Sequence, residues 1–251
     1  MNFTILRFEQ IDSTNTEAAK QARLGADEGL CIIAREQTKG RGRRGRKWVS
    51  EKDSGLYFSV VLKPTLEARF LPLITLMAGI AVHDTLIEFG LEPDIKWVND
   101  ILVREKKISG ILAETVDTPA GLSVIVGIGI NLISASLPGD ISAIATSLEA
   151  ETGKRFAPDE MAGTLTPHLS NFYDLLIDVD GPAEIVRHWR QRSTYSSGKR
   201  VRVTTANGSF DGVTDGLEKN GSLRLKTADG SVVAIQAGDV QQLRSGDADE
   251  I

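Results

Sequence analysis

Between Asp94 and Leu132 the chain runs through DIKWVNDILV, KISGILAETV and GLSVIVGIGINL, three strand-like segments separated only by short charged or Pro/Gly-containing turns. Successive strands joined this closely pair antiparallel, because a parallel return needs a crossover of a dozen residues or more. A meander of this kind excludes a regular alternation of strand and helix. Helical patterning lies on either side of it. Leu71 to Phe89 is apolar at helical spacing, with Pro72 near its start and Gly90 after its end, and further helical stretches cover Ile141 to Glu151, Pro158 to Leu176 and Ala183 to Arg192. These would cover one face of the sheet, which makes the fold α+β. Near the N-terminus, Phe3 to Gln10 reads as a short strand. Asp12, Ser13, Thr14 and Asn15 then lead into the helical TEAAKQARL, where Thr14 and Glu17 could form a capping box. Leu30 to Arg35 and Leu56 to Leu62 read as buried strands.

After Ser193 the pattern shortens to β segments around Val201, Phe210, Leu223, Val232 and Val240, with Asn207-Gly208, Asn220-Gly221 and Asp229-Gly230 as turn signals. This predicts a main domain over 1–194, a small β-barrel over 195–245 and a flexible acidic tail at 246–251.

Within the meander, strand alternation in VIVGIGINL puts Ile125, Gly127, Gly129 and Asn131 on one face and Val124, Val126, Ile128 and Ile130 on the other. One face is greasy and the other nearly bare. Glycines two apart in a strand weaken it, which suits a ligand lying flat against that face, although a bulge or tight helix packing would also use them. The same alternation in KWVND places Lys96, Val98 and Asp100 opposite Trp97 and Asn99. In KISGILAE, Lys107 stands at a strand entrance with Gly110 three residues on.

Charge is concentrated elsewhere. KGRGRRGRKW carries six basic side chains between Lys39 and Lys47 in a chain of formal net charge −5, so the remainder stands at −11. Gly40, Gly42 and Gly45 would let this backbone take positive φ or approach a ligand closely. A nucleic-acid patch, a solvated loop and a site for a small phosphorylated ligand are the three readings. Trp48 is the one neighbouring stacking platform, the overall acidity argues against a general polyanion or membrane surface, and no Gly-Lys-Ser/Thr tripeptide makes the segment a Walker loop.

No hydrolytic constellation appears. His83, His168 and His188 lack paired ligand spacing, Cys31 within LCIIA reads as a buried small apolar residue, and the separation of Glu36 and Asp100 is left open. A single cysteine excludes an internal disulfide and fits a reducing compartment, and no apolar run approaches the roughly 20 residues of a membrane span. A cytoplasmic protein is expected. A cation-rich, glycine-rich site short of nucleophiles suits a reaction whose substrates supply the reactive groups.

Taken in order, DSTN at 12–15, EQTKGRGRRGRKW at 36–48, KWVND at 96–100, KISGILAE at 107–114 and GIGINL at 127–132 resemble biotin protein ligase, the family that attaches biotin to a carrier-domain lysine. The C-terminal GKRVRV is similar to that family's SH3-like domain. The resemblance implies a catalytic domain of the class II aminoacyl-tRNA synthetase/biotin ligase type, with a mixed or antiparallel sheet covered by helices. It also implies ATP and biotin as substrates, Mg2+, and a biotinyl-5′-AMP intermediate. The implied partner is a biotin carboxyl carrier protein, such as that of acetyl-CoA carboxylase.

Carried over by resemblance, Ser13, Thr14, Asn15, Gln37 and Gly110 would contact biotin, with Arg41 and Arg43 closing over the ligand. Lys107 would touch the biotin carboxylate and the α-phosphate. Trp48, Asn99 and Asn131, with Arg41, would line the nucleotide side, and Arg44 and Arg46 would neutralise triphosphate or pyrophosphate. Lys107, Arg43 and Asp100 form the implied catalytic set, with Asp100 placed to organise magnesium or to meet the acceptor lysine. Val98 stands where many relatives have proline and Ser109 where alanine is frequent. The first motif begins only about a dozen residues in, so a ligase that does not repress transcription is expected, with no nucleic-acid or membrane partner and with a homodimer through sheet edges left open. A lipoate or octanoate ligase of related fold is the alternative enzyme, and a nucleic-acid-binding module the alternative of another class.

Overall fold

The computed structural model describes residues 1–134 and 143–242. Its main sheet contains β1 (Thr4–Phe8), β2 (Leu30–Ala34), β3 (Gly55–Leu62), β4 (Pro93–Lys96), β5 (Asp100–Val103), β6 (Lys106–Thr118) and β7 (Gly121–Asn131), in the order β1-β2-β3-β7-β6-β5-β4. Only the β1–β2 pair is parallel, so the sheet is mixed, and the meander runs antiparallel from β4 to β7 and on to β3.

Helix α1 (Thr14–Arg23) packs on one face, closing a small cluster of Ala18, Ala22, Ile32, Val61 and Ile125. The other face carries α2 (Leu73–Glu88), α4 (Pro158–Leu176) and α5 (Gly181–Arg192). The helical stretch Ala68–Glu88, which contains α2, is long and apolar enough to cross a membrane, yet 67% of its most apolar window is buried within the fold. Its apolar character on every side follows from packing against the sheet, α4 and α5 together. The alternating faces of β7 separate as expected, with Val124, Val126, Ile128 and Ile130 in the large core.

The C-terminal strands β8 (Ser197–Thr205), β9 (Gly208–Leu217), β10 (Leu223–Lys226), β11 (Val232–Ile235) and β12 (Asp239–Gln242) form an antiparallel sheet in the order β11-β10-β9-β8-β12. The pairing among the described residues is that of an open sheet, not a closed barrel. Its inner residues Val201, Val203, Leu223 and Leu225 belong to the same apolar cluster as α2, and Trp97 Nε1 donates to Gly221 O at 2.9 Å. The two sheets therefore share one core.

Three local expectations change. DIKWVNDILV is two strands, β4 and β5, folded back on each other through a turn at Trp97 to Asn99, with a cis Trp97–Val98 peptide, so simple alternation across KWVND fails. Thr14 lies inside α1 rather than capping it, because its Oγ1 and amide are both drawn to Gln37 Oε1, at 3.1 and 2.8 Å. Helix α3 (Leu148–Thr152) starts at the Ser147 cap, whose Oγ accepts from Ala150 N, so the described residues Ala143 to Thr146 are not helical. The backbone just before it is taken up by Lys107, which bonds to Ile144 O and Thr146 N at 2.8 and 2.9 Å. Ile141 and the tail at 246–251 lie outside the described residues.

Asp84 ties α2 to α5. Its carboxylate accepts from Arg192 Nε and Nη2 at 2.7 and 2.8 Å and lies 2.9 Å from His83 Nδ1. Burial opposes its charge, but the bonds from His83 and Arg192 outweigh it and hold the pKa at about 2 instead of the usual 3.8. A group depressed in this way stabilises the fold above pH 4 and loses that contribution as pH falls through 2. Asp84→Asn is expected to cost about 2 kcal/mol at neutral pH. Urea titrations should show the gap between variant and parent closing between about pH 4 and pH 2, as the linkage relation requires.

Candidate functional site

Gly127 and Gly129 open a hollow on the α1 side of the sheet. A Cβ on Gly127 would lie 2.2 Å from Asn15 Oδ1, and one on Gly129 would lie 2.5 Å from Trp48 Cε2. Two side chains from distant segments thus rest directly on bare backbone. Sheet register arranges the floor in two rows, Ser59-Gly127-Leu112 and Tyr57-Gly129-Gly110-Asp100. Above them is a cavity of about 340 Å³.

One end of the cavity is polar and uncharged. Ser13, Thr14 and Asn15 are 3–4% exposed at the start of α1, where the sharp entry from Asp12 turns them toward the sheet. Ser59 Oγ lies 2.6 Å from Asn15 Oδ1 and 2.7 Å from Thr14 Oγ1, and Gln37 Nε2 donates to Ser50 Oγ at 2.8 Å. This chain of bonds fixes donors and acceptors in a buried setting, where an unpaired polar group would be costly. Asn15 Nδ2 donates to Leu112 O at 3.2 Å and to Glu114 Oε2 at 2.7 Å.

The other end is cationic. Lys107 Nζ bonds Asp100 Oδ1 at 2.5 Å and stands 5.5 Å from the Trp48 ring centroid, and Lys96 Nζ is 3.5 Å from Asp100 Oδ2. Gly110 leaves room here, since a Cβ on it would lie 3.1 Å from both Lys107 Nζ and Trp48. Asn99 Nδ2 donates to Ile111 O and Asn131 Nδ2 to Thr146 O, each at 3.0 Å. Trp48 Nε1 is shielded from water and has no hydrogen-bond acceptor among the described residues.

The basic segment folds back on itself. Gly42 N bonds Arg46 O at 2.7 Å, Trp48 N bonds Gly40 O at 2.9 Å, and Arg44 and Gly45 turn the tip at φ 54° and 73°. Gly40 is demanded by close approach to Trp48 O, at 2.4 Å from a Cβ. Gly42, at φ −114°, needs neither positive φ nor such closeness, contrary to expectation. Arg41 Nη2 bonds Glu114 Oε2 at 2.9 Å, and Arg43 Nη1 bonds Asn99 Oδ1 at 3.0 Å and Gly238 O at 3.3 Å. Arg44 and Arg46 both reach Asp239 at the start of β12. Burial lowers the Arg43 pKa and the charges of Arg44 and Arg46 add to that, while Asp239 and Asp100 counter it.

The cavity is therefore lined by Ser13, Thr14, Asn15, Gln37, Arg41, Arg43, Arg46, Trp48, Asn99, Asp100, Lys107, Gly110 and Asn131, all singled out in the sequence. Arg44 is the exception. Its αL backbone turns it away, and it lines a smaller neighbouring hollow with Pro72 and Gln236. Sequence reasoning missed Ser59, Glu114 and Asp239. Ser59 was legible as the one serine in the apolar GLYFSVVL, and Glu114 as the residue alternating with Gly110 and Leu112, whereas nothing local to Asp239 marks it.

Glu36 accepts from Gln10 Nε2 at 2.9 Å and Asp100 from Lys107, so they do not act as a pair. The histidines sit among the core-side helices with Asp84, Glu88 and Arg192, and burial pushes the Cys31 thiol up to about 12. Among the described residues no three metal-ligating side chains cluster.

Residues 7–131 match the Biotin/lipoate A/B protein ligase family, and residues 196–242 match the biotin protein ligase C-terminal domain. The chain is 34% identical to the biotin--[acetyl-CoA-carboxylase] ligase of Paracoccus denitrificans over 91% of its own length and 96% of the relative's. It belongs to the biotin protein ligase family. The bifunctional ligase/repressor BirA of Bacillus spizizenii is 35% identical over 92% of this chain and 71% of that protein. Among solved structures, the Aquifex aeolicus biotin protein ligase in complex with biotin and ATP superposes with a TM-score of 0.84 at 30% identity, covering 96% of this chain and 99% of that one.

For this biotin protein ligase family member, the glycine floor makes a direct prediction. Gly129→Ala should push the Trp48 ring off β7. Trp97 and Trp189 are 2% and 0% exposed, so acrylamide quenching of tryptophan fluorescence reports Trp48. The variant should show an increased quenchable fraction while far-UV circular dichroism stays unchanged.

Proposed function

We propose that the chain joins biotin to a specific lysine of a carboxylase carrier domain in two steps through biotinyl-5′-AMP. The observation that carries this reading is Lys107, whose ammonium stands at the cationic end of a cavity whose other end is neutral and hydrogen-bonding. The neutral end, formed by Ser13, Thr14, Asn15 and Gln37 on the Gly127 row, suits a compact uncharged ring head that both donates and accepts hydrogen bonds. The cationic end, with Trp48, Asn99 and Asn131 beside Lys107, Arg43 and Arg46, suits a nucleotide, while Arg41, held by Glu114 beside Asn15, stands over the ring end. Arg44 would act on phosphate only from the edge.

In the first step a biotin carboxylate oxygen attacks the α-phosphorus of ATP. The new P–O bond forms as the α–β phosphoanhydride breaks, and pyrophosphate leaves with the electron pair. In the second step the carrier lysine's amine attacks the acyl carbonyl, AMP departs, and the amine's extra proton passes to a base or to solvent. Both first-step reactants are anions, so cations fixed around them in a low-dielectric cavity are the main requirement. Orienting two bound reactants can contribute about 7–11 kcal/mol, so no enzyme nucleophile is needed. Asp100 already carries two ammonium groups, Lys107 and Lys96, which disfavours another cation on it. Magnesium accordingly enters as part of the substrate MgATP, and Asp100 serves to aim Lys107.

Pyrophosphate exchange with biotin or lipoate as the sole acid tests this. Exchange with biotin alone is expected, and exchange with lipoate but not biotin would overturn the reading. Lys107→Ala should lower biotin-dependent exchange by about 100-fold or more, the scale of losing one fixed charge-stabilising group. Arg43→Gly removes the bonds to Asn99 and Gly238 that close the loop over the cavity. That variant should release the adenylate and label lysines on a bystander protein, read by streptavidin blot, whereas the parent labels the carrier alone.

A further inference from the structure

Glu114 is a carboxylate beside a site whose substrates, on the reading above, are both anions. It does not line the cavity. It lies on β6 two residues beyond Leu112, on the face shared with Ser59, Gly127 and α1, and its Oε2 receives both Asn15 Nδ2 and Arg41 Nη2. Those two donors come from different segments, the start of α1 and the basic loop. With Leu112 O, Glu114 uses up both protons of the Asn15 amide. The amide therefore has one orientation, with Oδ1 over Gly127, and offers a ligand only an acceptor. A ring head presenting an N–H, as the biotin ureido group does, meets that acceptor.

We infer that Glu114 is a positioning residue that sets affinity for the biotin ring by fixing the Asn15 amide in one sense and holding Arg41 over the same end of the cavity. This rests on the proposed function, since it concerns which end of the cavity takes the ring. The Arg41–Glu114 pair is partly exposed, with side chains 47% and 35% accessible, so its charge attraction is modest. The orientation of a 4% exposed carboxamide is the stronger effect, because a flipped amide would turn NH2 toward the ligand and leave its oxygen facing a carboxylate.

The test is biotin-dependent pyrophosphate exchange on the full chain, with each substrate varied at saturating levels of the other. Glu114→Gln should raise KM for biotin about tenfold while KM for ATP and kcat stay within twofold. Arg41→Ala should cost less in the Glu114→Gln background than alone, because the two groups act as a unit. Glu114→Asp, which keeps the charge but shortens its reach, should fall between parent and Gln variant. An unchanged KM for biotin in both variants would overturn the inference, as would a parallel rise in both KM values, which marks general damage. Absence of biotin-dependent exchange in the parent would instead overturn the functional reading itself.

Discussion

The site depends on what β7 lacks. A strand that presented side chains at 127 and 129 would fill the space into which the Asn15 carboxamide and the Trp48 indole are set, within 2.2 and 2.5 Å of where those Cβ atoms would be. Glycine in a strand interior weakens it. The loss is offset because β7 is central, paired with β3 from Val124 to Asn131 and with β6 from Gly121 to Ile130, and its opposite face is buried in the main core. A strand held so firmly from one side can leave its other side empty.

The second constraint is charge. Five cationic side chains between Arg41 and Lys47 repel one another, and one of them, Arg43, is partly desolvated. The loop is nonetheless folded, because its guanidinium groups are met by Glu114, Asn99, Gly238 O and Asp239. Two of these four partners, Gly238 and Asp239, lie at the entry to β12 of the C-terminal sheet. That sheet is tied through the shared apolar core to α2, so the loop is referenced to a rigid body rather than to solvent. Contacts of this kind at a surface are individually worth about 0–1 kcal/mol. They order the loop without competing strongly with a triphosphate of several negative charges.

Most of this was legible in the sequence where local pattern and tertiary outcome agree. The faces of β7 and the apolar α2 follow from periodicity and glycine placement, and the lining residues from Ser13 to Asn131 from the family resemblance that the ordered motifs carry. Two of the misreadings share a cause, a long-range partner that overrode a local rule, and the third is a local reversal. Thr14 fits a capping box, but Gln37 claims its hydroxyl and amide. Helical spacing also covers Ala143 to Thr146, but Lys107 takes up the backbone of Ile144 and Thr146. KWVND alternates like a strand, but β4 returns on β5 within it. Asp239 could not have been found at all, because its significance lies in being next to Arg46, 193 residues away in the chain.

Register converts these parts into a ruler. The neutral row Ser59-Gly127-Leu112 and the charged row Tyr57-Gly129-Gly110-Asp100 are two residues apart along β7, which at the rise of an antiparallel strand is about 7 Å. The Asn15 carboxamide lies against Gly127 in the first row and the Lys107 ammonium beside Gly110 in the second, so the rows set the spacing of the two ends of the cavity. The bulge between Ile101 and Leu102 lets β5 bring Asp100 level with Gly110 while Lys107 still reaches it. A slip of one residue in the β6–β7 pairing would send Gly127 and Gly129 opposite core side chains and turn Leu112 and Glu114 out of line with Asn15. The chemistry thus depends less on any one reactive residue than on strand pairing that keeps two unlike half-sites at a fixed distance.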